Sequence, residues 1–594
     1  MNRLCLLLTV TVLASGCSTL PPAPQALAEA RQPEGTSRLT RQAGWQGRKF
    51  AVATAHPLAS EAGLEILKAG GSAIDAAIAA QMVLTLVEPQ SSGIGGGAFL
   101  LHHDGRQTLA FDGRETAPAA VDETLFLKAD GKPMSFPEAV AGGRAVGVPG
   151  TVRMLEMAHA EYGRLAWASL FAAAIRLAEN GFPVGERLHA LLKSDPHLRQ
   201  DAHAAALFYG PDGEAVAPGT LLRNPALAGV LRRIAGEGAR ALHEGEIAQA
   251  IVDKVREHPL NPGHLSLADL AAYRPKRRSP LCSDYTPATV EPARNYRICG
   301  FPPPGSGAIA IAQILGMLGH TEAAALPFAD PRWLHYYSEA SRLAFADRAR
   351  YVADPDFVAA PAGSWQSLIR PGYLAERARL IGAQRMEAAP PGSPSPENDS
   401  HASMPLQVEH GTSHLGVVDA YGNALAMTST IEDAFGARQM VRGFLLNNEL
   451  TDFSFAPDDG GGRPIANRVE PGKRPRSSMS PTLVFDRDSG ELVLSGGSPG
   501  GALIIHYTAK LLYATLNWRL AAQPAIDLPN FGSLGGPTLL EEGRFSRSFI
   551  AALAARGHEV KEVGMSSGLQ AIEKSHGRYA GGADPRREGR VMGE

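Results

Sequence analysis

Two short apolar runs around residue 420 form the clearest pattern of hydrophobic and polar positions in the chain. They cover 411–419 and 424–430, are nearly uncharged and rich in β-branched residues, and flank Tyr421-Gly422-Asn423. This turn composition suits positive φ angles, so the stretch predicts a β-hairpin. A turn centred near Tyr421 brings Thr430 within about one residue of standing opposite Thr412.

Strand-like and helical patterns alternate along the rest of the chain. The almost wholly apolar stretch 73–86 predicts a helix buried between layers, and Ser60 is predicted to cap a helix at 61–69. Strands are predicted at 50–54 and 492–495, and further helices at 151–161, 308–318 and 331–350. The alternation favours a layered α/β protein over a sandwich or a bundle.

The hairpin also carries candidate chemistry. Gly411 has no Cβ and can hold the bond before Thr412 in a conformation that other residues resist. A chain cut there would leave Thr412 with a nucleophilic hydroxyl and an α-amine base of pKa about 7.7–8.0 in one residue. From the hairpin alone, an ordinary strand threonine remains the simpler interpretation. The Pro- and Ser-rich stretch 389–411 predicts a flexible tail on the first fragment of a cut chain.

Two glycine-rich turns interrupt the alternation. Residues 89–99 lack the Walker lysine and a clean Gly-x-Gly-x-x-Gly pattern, so they predict a packing turn under the active site rather than a nucleotide loop. Residues 496–501 lie between a strand and a helix that starts near Ile504. Strand, glycine turn and helix in this order present free backbone N–H groups at a helix start, where an anion can bind.

Composition narrows the classes of function. The chain has 594 residues, 44% of them hydrophobic, and a net charge of −3, so large cores are expected and no polybasic surface for nucleic acid. The 64 glycines and 44 prolines favour many tight turns over a long helical bundle. No spacing typical of metal ligands occurs, so we predict neither a metal nor another cofactor.

The N-terminus predicts export. A short positive start, the apolar run 4–13 and small residues are typical of a secretory signal peptide, which we place at 1–17. Its end resembles a bacterial lipoprotein signal with Cys17 as the lipidated residue, and residues 18–45 predict a tether. We expect a periplasmic protein whose only membrane attachment is this anchor, at the outer membrane. The alternative is a free periplasmic protein cleaved nearby.

Two cysteines remain in the body of the chain. Cys282 and Cys299 lie in segments that are typical of short strands, and disulfides persist in exported proteins. A cross-strand bridge and two buried thiols are both compatible with this pattern.

Several strings together resemble one family. They are 55–60 (AHPLAS), 88–97 (EPQSSGIGGG), 412–414 (TSH), 446–448 (LNN), 477–481 (SSMSP) and 497–501 (GSPGG). In this order they resemble the gamma-glutamyltransferase (glutathione hydrolase) family of N-terminal-nucleophile hydrolases, over about residues 50–590. The resemblance reverses the simple interpretation of Thr412 and makes it the expected nucleophile.

The resemblance implies a four-layer αββα fold that is built from two fragments. Self-cleavage between Gly411 and Thr412 would give a large fragment, 46–411, and a small catalytic fragment, 412–594, which form a heterodimer. Thr412 would then attack a γ-glutamyl donor, Thr430 would orient it, and the N–H groups of Gly500 and Gly501 would hold the oxyanion.

The resemblance also assigns the donor's zwitterionic head group. Arg114 would clamp the α-carboxylate with hydroxyls from Ser477 and Ser478, and Glu449 and Asp452 would accept from the α-ammonium. Position 432 would help, but here it is Glu432, where many members have Asn. Water, an amino acid or a peptide amine would accept the acyl group.

Other departures concern donor preference rather than chemistry. Gly416 stands where the family usually has Ser or Thr, Leu425 replaces a usual Val, and the loop 456–476 contains no aromatic residue. An enzyme alternative is a glutaryl (cephalosporin) acylase or a poly-γ-glutamate enzyme of the same family. An alternative of another class is an uncleaved, inactive surface binding protein, against which the intact threonine and glycine set argues.

Overall fold

The structure is a computed structural model that describes residues 39–287, 294–395 and 400–594. The predicted signal peptide 1–17, its Cys17 and the tether up to residue 38 lie outside the described residues, so these assignments stay predictions. Within the described ranges, every helix is too short or too polar to cross a membrane.

The described residues contain many strands, most of them short. In chain order they are β1 (Trp45–Gly47), β2 (Ala51–Thr54), β3 (Gly97–His103), β4 (Thr108–Asp112), β5 (Phe182–Pro183), β6 (Leu221–Leu222), β7 (Lys276–Arg278), β8 (Leu281–Tyr285), β9 (Tyr296–Gly300), β10 (Ser413–Val418), β11 (Ala424–Thr430), β12 (Met440–Val441), β13 (Phe444–Leu445), β14 (Thr482–Asp486), β15 (Leu492–Gly497), β16 (Phe531–Gly532), β17 (Thr538–Glu541), β18 (Val560–Val563), β19 (Gln570–Ser575), β20 (Arg578–Ala583) and β21 (Arg590–Gly593).

The helices lie between these strands in sequence. They are α1 (Pro57–Lys68), α2 (Ala73–Val87), α3 (Phe136–Val140), α4 (Thr151–Tyr162), α5 (Ala172–Asn180), α6 (Glu186–Ser194), α7 (Ala202–Phe208), α8 (Pro225–Glu237), α9 (Arg240–His243), α10 (Gly245–Arg256), α11 (Leu267–Ala272), α12 (Gly307–Leu318), α13 (Pro331–Tyr351), α14 (Pro371–Ala378), α15 (Ile504–Leu516), α16 (Ala522–Asp527) and α17 (Arg547–Ala554). Every residue of α2 is buried, as its apolar pattern predicts.

Two seven-stranded sheets form the centre of the fold. Sheet I has the order β1-β20-β19-β15-β14-β9-β8, and sheet II has the order β21-β2-β10-β11-β3-β4-β7. Neighbouring strands run antiparallel in both sheets. The strand order does not follow the chain order, so each sheet contains strands from before and from after residue 411.

The sheets stack face to face between two helical layers. Phe99 of sheet II stacks on Phe301 with ring centroids 3.9 Å apart, and Leu101, Leu483 and Ile572 belong to the same inner core. The outer face of sheet II packs against a core that includes α1, α2, α4, α5 and α8. The outer face of sheet I packs against α12, α13, α15 and α16. This is the αββα fold, as predicted.

The hairpin has the predicted register. Ser413 pairs with Ser429, so the next pair along the ladder places Thr412 opposite Thr430. Asp419 Oδ1 accepts hydrogen bonds from the N–H groups of Tyr421 and Asn423, each at 2.9 Å, and closes the connection. The flanking strands β2 and β3 pair with this hairpin on its two sides, so it lies inside sheet II.

The predicted start of α1 is wrong. The helix begins at Pro57, and its cap is His56, whose Nδ1 accepts from the N–H of Leu58 at 3.2 Å. Proline suits the first helical position because its missing N–H is not needed there. Ser60 lies inside the helix instead, and its hydroxyl contacts Thr54 Oγ1 at 2.8 Å and donates to the carbonyl of Arg590 at 2.7 Å.

The two cysteines of the body lie opposite each other on neighbouring strands. Cys282 of β8 and Cys299 of β9 are paired in the ladder, with their Cα atoms 4.0 Å apart, and a disulfide joins them. The bond ties the edge strand of sheet I to its neighbour.

Candidate active site

Thr412 lies immediately before β10, with its side chain buried. The N–H of Gly500 donates to Thr412 Oγ1 at 3.2 Å, and Thr430 Oγ1 donates to the carbonyl oxygen of Gly411 at 2.7 Å. Thr430 Oγ1 also accepts from the N–H of Glu432 at 2.8 Å, which fixes the direction of its own proton. The carbonyl that Thr412 would attack is therefore polarised by a hydroxyl from the facing strand.

Glycine is required at both positions beside the nucleophile. Gly500 has φ +130° and Gly501 has φ +58°, a region that side chains disfavour. A Cβ on Gly501 would come within 1.9 Å of the carbonyl oxygen of Glu409, and one on Gly500 within 2.6 Å of the Tyr507 ring. The predicted order of strand, glycine turn and helix is observed, with β15 before this turn and α15 after it.

The other glycine turn supports the end of β11. A Cβ on Gly96 would lie 2.0 Å from the carbonyl oxygen of Thr430, and one on Gly95 would lie 2.1 Å from that of Leu445. The side-chain amide of Asn447 donates to the carbonyl of Gly95 at 2.8 Å. This turn packs directly under the strand end that carries Thr430, as its sequence predicts.

Arg114 is fully buried and is surrounded by acids. Its two terminal nitrogens donate to Glu449 and Asp452, and Nε donates to the carbonyl of Pro475 at 3.1 Å. The structure thus brings together the predicted carboxylate clamp and the two predicted ammonium acceptors. In the uncleaved chain they bind each other, and their roles toward a donor stay predictions.

Several buried carboxyl groups surround the single guanidinium of Arg114. Burial raises the pKa of Asp452 to about 8, against the opposing charge of Arg114. Burial also raises the pKa of Glu449, and it raises that of Glu115 well above its usual range with the charge of Glu449 adding to the effect. A site with this excess of acids retains protons in the uncleaved chain and favours a cationic ligand group.

Glu432 follows Thr430 closely in an unusual backbone conformation. Its φ is +74°, in the left-handed region where Asn is more often found than Glu. Its carboxyl accepts from Asn448, from Thr451 Oγ1 at 3.2 Å and from the N–H of His410 at 3.1 Å. Burial, followed by the charge of Asp452, raises the pKa of Glu432 well above its usual range.

The two predicted serines also line the cavity. Ser477 Oγ accepts from the N–H of Met479 at 3.1 Å, which leaves its proton for another acceptor. Ser478 Oγ accepts from Arg348 Nη2 at 2.6 Å and donates to the carboxylate of Glu409. One cavity is lined by all these groups: Arg114, Glu409, His410, Thr412, Thr430, Glu432, Glu449, Asp452, Ser477, Ser478 and Gly501.

Sequence reasoning missed four residues of this cavity and its wall. Arg348 and Arg476 contact Glu409, and Glu409 and His410 lie in the stretch that was predicted as a tail. Arg348 belongs to α13, where a charged residue suggests a solvent-facing position. One signal in the sequence could have indicated Glu409: it lies two residues before Gly411, at the predicted cleavage point.

Fold and site together define the class of protein. A buried threonine at the start of a central strand in an αββα stack, with the carbonyl before it hydrogen-bonded, is the arrangement of an N-terminal-nucleophile hydrolase before cleavage. The sequence profile described as gamma-glutamyltranspeptidase matches residues 59–594. The chain belongs to the gamma-glutamyltranspeptidase family.

Several known proteins are similar to this chain over most of its length. The "Glutathione hydrolase proenzyme" of Bacillus subtilis (strain 168) is 35% identical over 95% of each chain. The "Acylase ACY 1 proenzyme" of Pseudomonas sp. (strain V22) is 34% identical over 89% of this chain and 90% of its own. The crystal structure of cephalosporin acylase from Bacillus halodurans superposes with a TM-score of 0.79 at 28% identity, over 98% of this chain and 99% of that one.

Proposed function

We propose that this chain is an autocatalytically processed γ-glutamyl hydrolase and transpeptidase that acts on glutathione and related γ-glutamyl compounds. The observation that carries this is the hydrogen-bonded pair of Thr412 with Gly500 and Gly411 with Thr430, in a cavity that also holds Arg114. The relatives called glutathione hydrolase proenzyme support the same activity.

Self-cleavage follows from this geometry. Thr412 Oγ1 attacks the Gly411 carbonyl carbon, the bond to the Thr412 nitrogen breaks, and that nitrogen takes the proton. The resulting ester is opened by water, which leaves a carboxylate on Gly411 and a free α-amine on Thr412. Thr430 contributes by its hydrogen bond to the carbonyl oxygen, which becomes negatively charged during the attack.

Turnover uses the same hydroxyl. The free α-amine of Thr412 accepts the hydroxyl proton, and the oxygen attacks the γ-carbonyl of the donor. The N–H groups of Gly500 and Gly501 stabilise the oxyanion, and the leaving amine departs with the proton. Water then releases glutamate, or an amino acid or peptide amine takes the acyl group. Losing one such oxyanion donor typically costs about 10²–10³ in rate.

The head group of the donor supplies what the cavity lacks. An α-ammonium matches the excess of acids at Glu449 and Asp452, and an α-carboxylate can use Arg114 with the hydroxyls of Ser477 and Ser478. The donor's cation then takes over the acids that hold Arg114 in the uncleaved chain. This exchange favours a free amino-acid head group over a plain glutaryl chain.

The test compares two chromogenic anilides, γ-glutamyl and glutaryl, as donors for the purified, cleaved protein. We expect the γ-glutamyl anilide to be preferred in kcat/KM, and the preference to shrink in an Asp452→Asn variant. The test is needed because the "Acylase ACY 1 proenzyme" relative, at 34% identity, is nearly as similar to this chain as the "Glutathione hydrolase proenzyme" relative, at 35%. If the glutaryl anilide is the better donor, the acylase function replaces this proposal.

The two fragments stay together as a heterodimer. In sheet II, β2 and β3 of the large fragment flank β10 and β11 of the small one, and the C-terminal β21 pairs with β2. Separating them would leave strand edges unpaired on both fragments.

Export to the periplasm, with a lipid on Cys17, is part of the same proposal and rests on the sequence of residues 1–17. Labelling with a radioactive fatty acid tests it, with Cys17→Ser as the control. Label on the wild type alone supports the anchor. If neither protein is labelled, the anchor is rejected in favour of the alternative, a free periplasmic protein.

A further inference from the structure

We propose that Glu409 is a positioning residue for self-cleavage and, until the tail leaves, an internal occupant of the carboxylate end of the donor pocket. The first part rests on the self-cleavage step of the proposed function and is argued from contacts in the uncleaved chain. The second part rests in addition on the proposed γ-glutamyl donor.

The carboxylate of Glu409 is held by groups from both sides of the cleavage point. Oε1 lies 2.5 Å from Arg348 Nη2 of α13, and Oε2 accepts from the hydroxyl of Ser478. Arg476 adds a second guanidinium at 3.7 Å. The side chain of Glu409 is only 9% exposed, so these contacts are made out of water.

Charge keeps this carboxyl ionised. Burial opposes ionisation, but the positive charges of Arg348 and Arg476 outweigh it and lower the pKa of Glu409. Glu409 differs in this from Glu432, Glu449 and Asp452, whose pKa values are raised. The cavity therefore has a cationic end, which Glu409 fills, and an acid-rich end.

The receiving groups are fixed independently of Glu409. Arg348 Nε donates to Ser306 Oγ at 2.8 Å, and Arg476 Nη1 donates to the carbonyl of Arg348 at 3.3 Å. Ser306 in turn donates to the carbonyl of Ser477 at 2.7 Å. A carboxylate bound here is consequently held by a rigid part of the fold and not by mobile surface side chains.

The chain from Glu409 to the cleavage point is fixed at every residue. The carbonyl oxygen of Glu409 rests against Gly501, where a Cβ would come within 1.9 Å. The N–H of His410 donates to Glu432 at 3.1 Å, and the carbonyl of Gly411 accepts from Thr430 at 2.7 Å. Anchoring the Glu409 side chain completes this series and holds the Gly411 carbonyl beside Thr412 Oγ1.

The hydrogen bonds that hold the Glu409 carboxylate conflict with donor binding. Ser478 is one of the two serines expected to bind the donor's α-carboxylate, and in the uncleaved chain its proton goes to Glu409. The charge of Glu409 also contributes to the raised pKa of Asp452. When the tail leaves, Arg348 and Ser478 become available to a carboxylate, and Asp452 ionises more readily beside an ammonium.

Cleavage kinetics of the full chain test the positioning role. Freshly folded wild type, Glu409→Gln, Glu409→Asp and Glu387→Gln are followed by denaturing gel and mass. We expect Glu409→Gln to slow cleavage about tenfold or more, since misplacement by about 1 Å can cost 10²-fold. Glu409→Asp, which keeps the charge, should be intermediate. Glu387, an exposed residue in the large fragment, is the matched control and should cleave at the wild-type rate.

A double-variant comparison separates positioning from loss of fold. If Glu409 acts through Arg348, then Glu409→Gln combined with Arg348→Lys is no slower than the slower single variant. Multiplied effects, or wild-type cleavage by Glu409→Gln, overturn the positioning role. Thermal unfolding in a Thr412→Ala background, where no chain is cut, confirms that each variant is folded.

A peptide tests the occupancy of the donor pocket. The synthetic peptide of residues 407–411, with a free C-terminal carboxylate, is added to the cleaved wild-type enzyme during hydrolysis of the γ-glutamyl anilide. We expect competitive inhibition that weakens about tenfold or more when its glutamate is replaced by glutamine, because a charged hydrogen bond is lost. Equal inhibition by both peptides contradicts the proposal. If the anilide is not hydrolysed at all while cleavage still depends on Glu409, the proposed function fails and the positioning role stands.

Discussion

Single hydroxyl and carboxyl groups in this site have distinct tasks that their neighbours determine. Thr430 donates to the carbonyl that is attacked, while the N–H of Gly500 contacts the attacking oxygen of Thr412. The carboxyls divide in the same way. Glu409 is ionised beside two arginines, whereas Asp452 holds its proton to a pKa of about 8 because it is buried among other acids.

The hydroxyl of Thr430 gives the first prediction. Thr430→Val keeps the shape of the side chain but removes the hydrogen bond to the Gly411 carbonyl, so self-cleavage should slow by about 10²–10³-fold. Thr430→Ser keeps the hydroxyl and should cleave much closer to the wild-type rate. The appearance of the small fragment on a denaturing gel measures both. Equal rates for the valine and serine variants would show that this hydrogen bond is unimportant.

The raised pKa of Asp452 gives a prediction on pH and stability. The folded chain keeps this proton up to a pKa of about 8, whereas an unfolded Asp loses it near about 3.9. The folded state therefore binds more protons in this window, and the stability of the uncleaved chain falls as pH rises through it. In a Thr412→Ala background, thermal unfolding between pH 5 and 9 should show this fall, and Asp452→Asn should make it smaller. Asp488→Asn, at an exposed position, is the control and should leave the slope unchanged.

At the scale of elements, the hairpin of β10 and β11 is held by what packs around its ends. The turn with Gly95 and Gly96 lies against the carbonyls of Leu445 and Thr430, with no room for a side chain. Asn447 joins this turn to the loop that carries Glu449, since its amide donates to Gly95 and its oxygen accepts from the N–H of Glu449 at 3.0 Å. The nucleophile strand and the head-group residues are thus parts of one packed unit.

This packing predicts the result of one glycine substitution. Gly96→Ala would place a methyl group 2.0 Å from the Thr430 carbonyl oxygen, so the end of β11 must shift. We expect a loss of about 1–3 kcal/mol in the free energy of unfolding, as for other overpacked cores, together with slower self-cleavage. Gly229→Ala in α8 has open space around the new methyl group and is the control. Normal cleavage by Gly96→Ala would contradict the supporting role of this turn.

At the scale of the molecule, the two fragments form one fold, because each sheet contains strands from both of them. The proposed cleavage just before β10 would cut a single bond and leave the strand order of both sheets intact. The new α-amine would then appear inside a stack that was already assembled. A buried threonine could in this way become an N-terminus without the fold being rebuilt.

Much of this arrangement could be predicted from the sequence, because the elements that carry it have strong local signals. The uncharged arms and the Tyr421-Gly422-Asn423 turn fixed the register of Thr412 and Thr430, and the apolar run at 73–86 predicted the buried helix. The predicted start of α1 was wrong because the helix begins earlier, at Pro57. The ring of His56 caps it, and Ser60 does not. The contacts of Glu409 with Arg348 and Arg476 could not be predicted, because the three residues are far apart in sequence and meet only in the tertiary fold.

The most direct measurement is the intact mass and N-terminal sequence of the purified wild type beside Thr412→Ala. We predict that the wild type separates under denaturing conditions into a fragment ending at Gly411 and a fragment beginning Thr412-Ser413-His414, while Thr412→Ala remains a single chain. A small fragment that begins at another residue, or cleavage of Thr412→Ala at the same bond, would contradict the claim that this threonine makes itself the catalytic N-terminus.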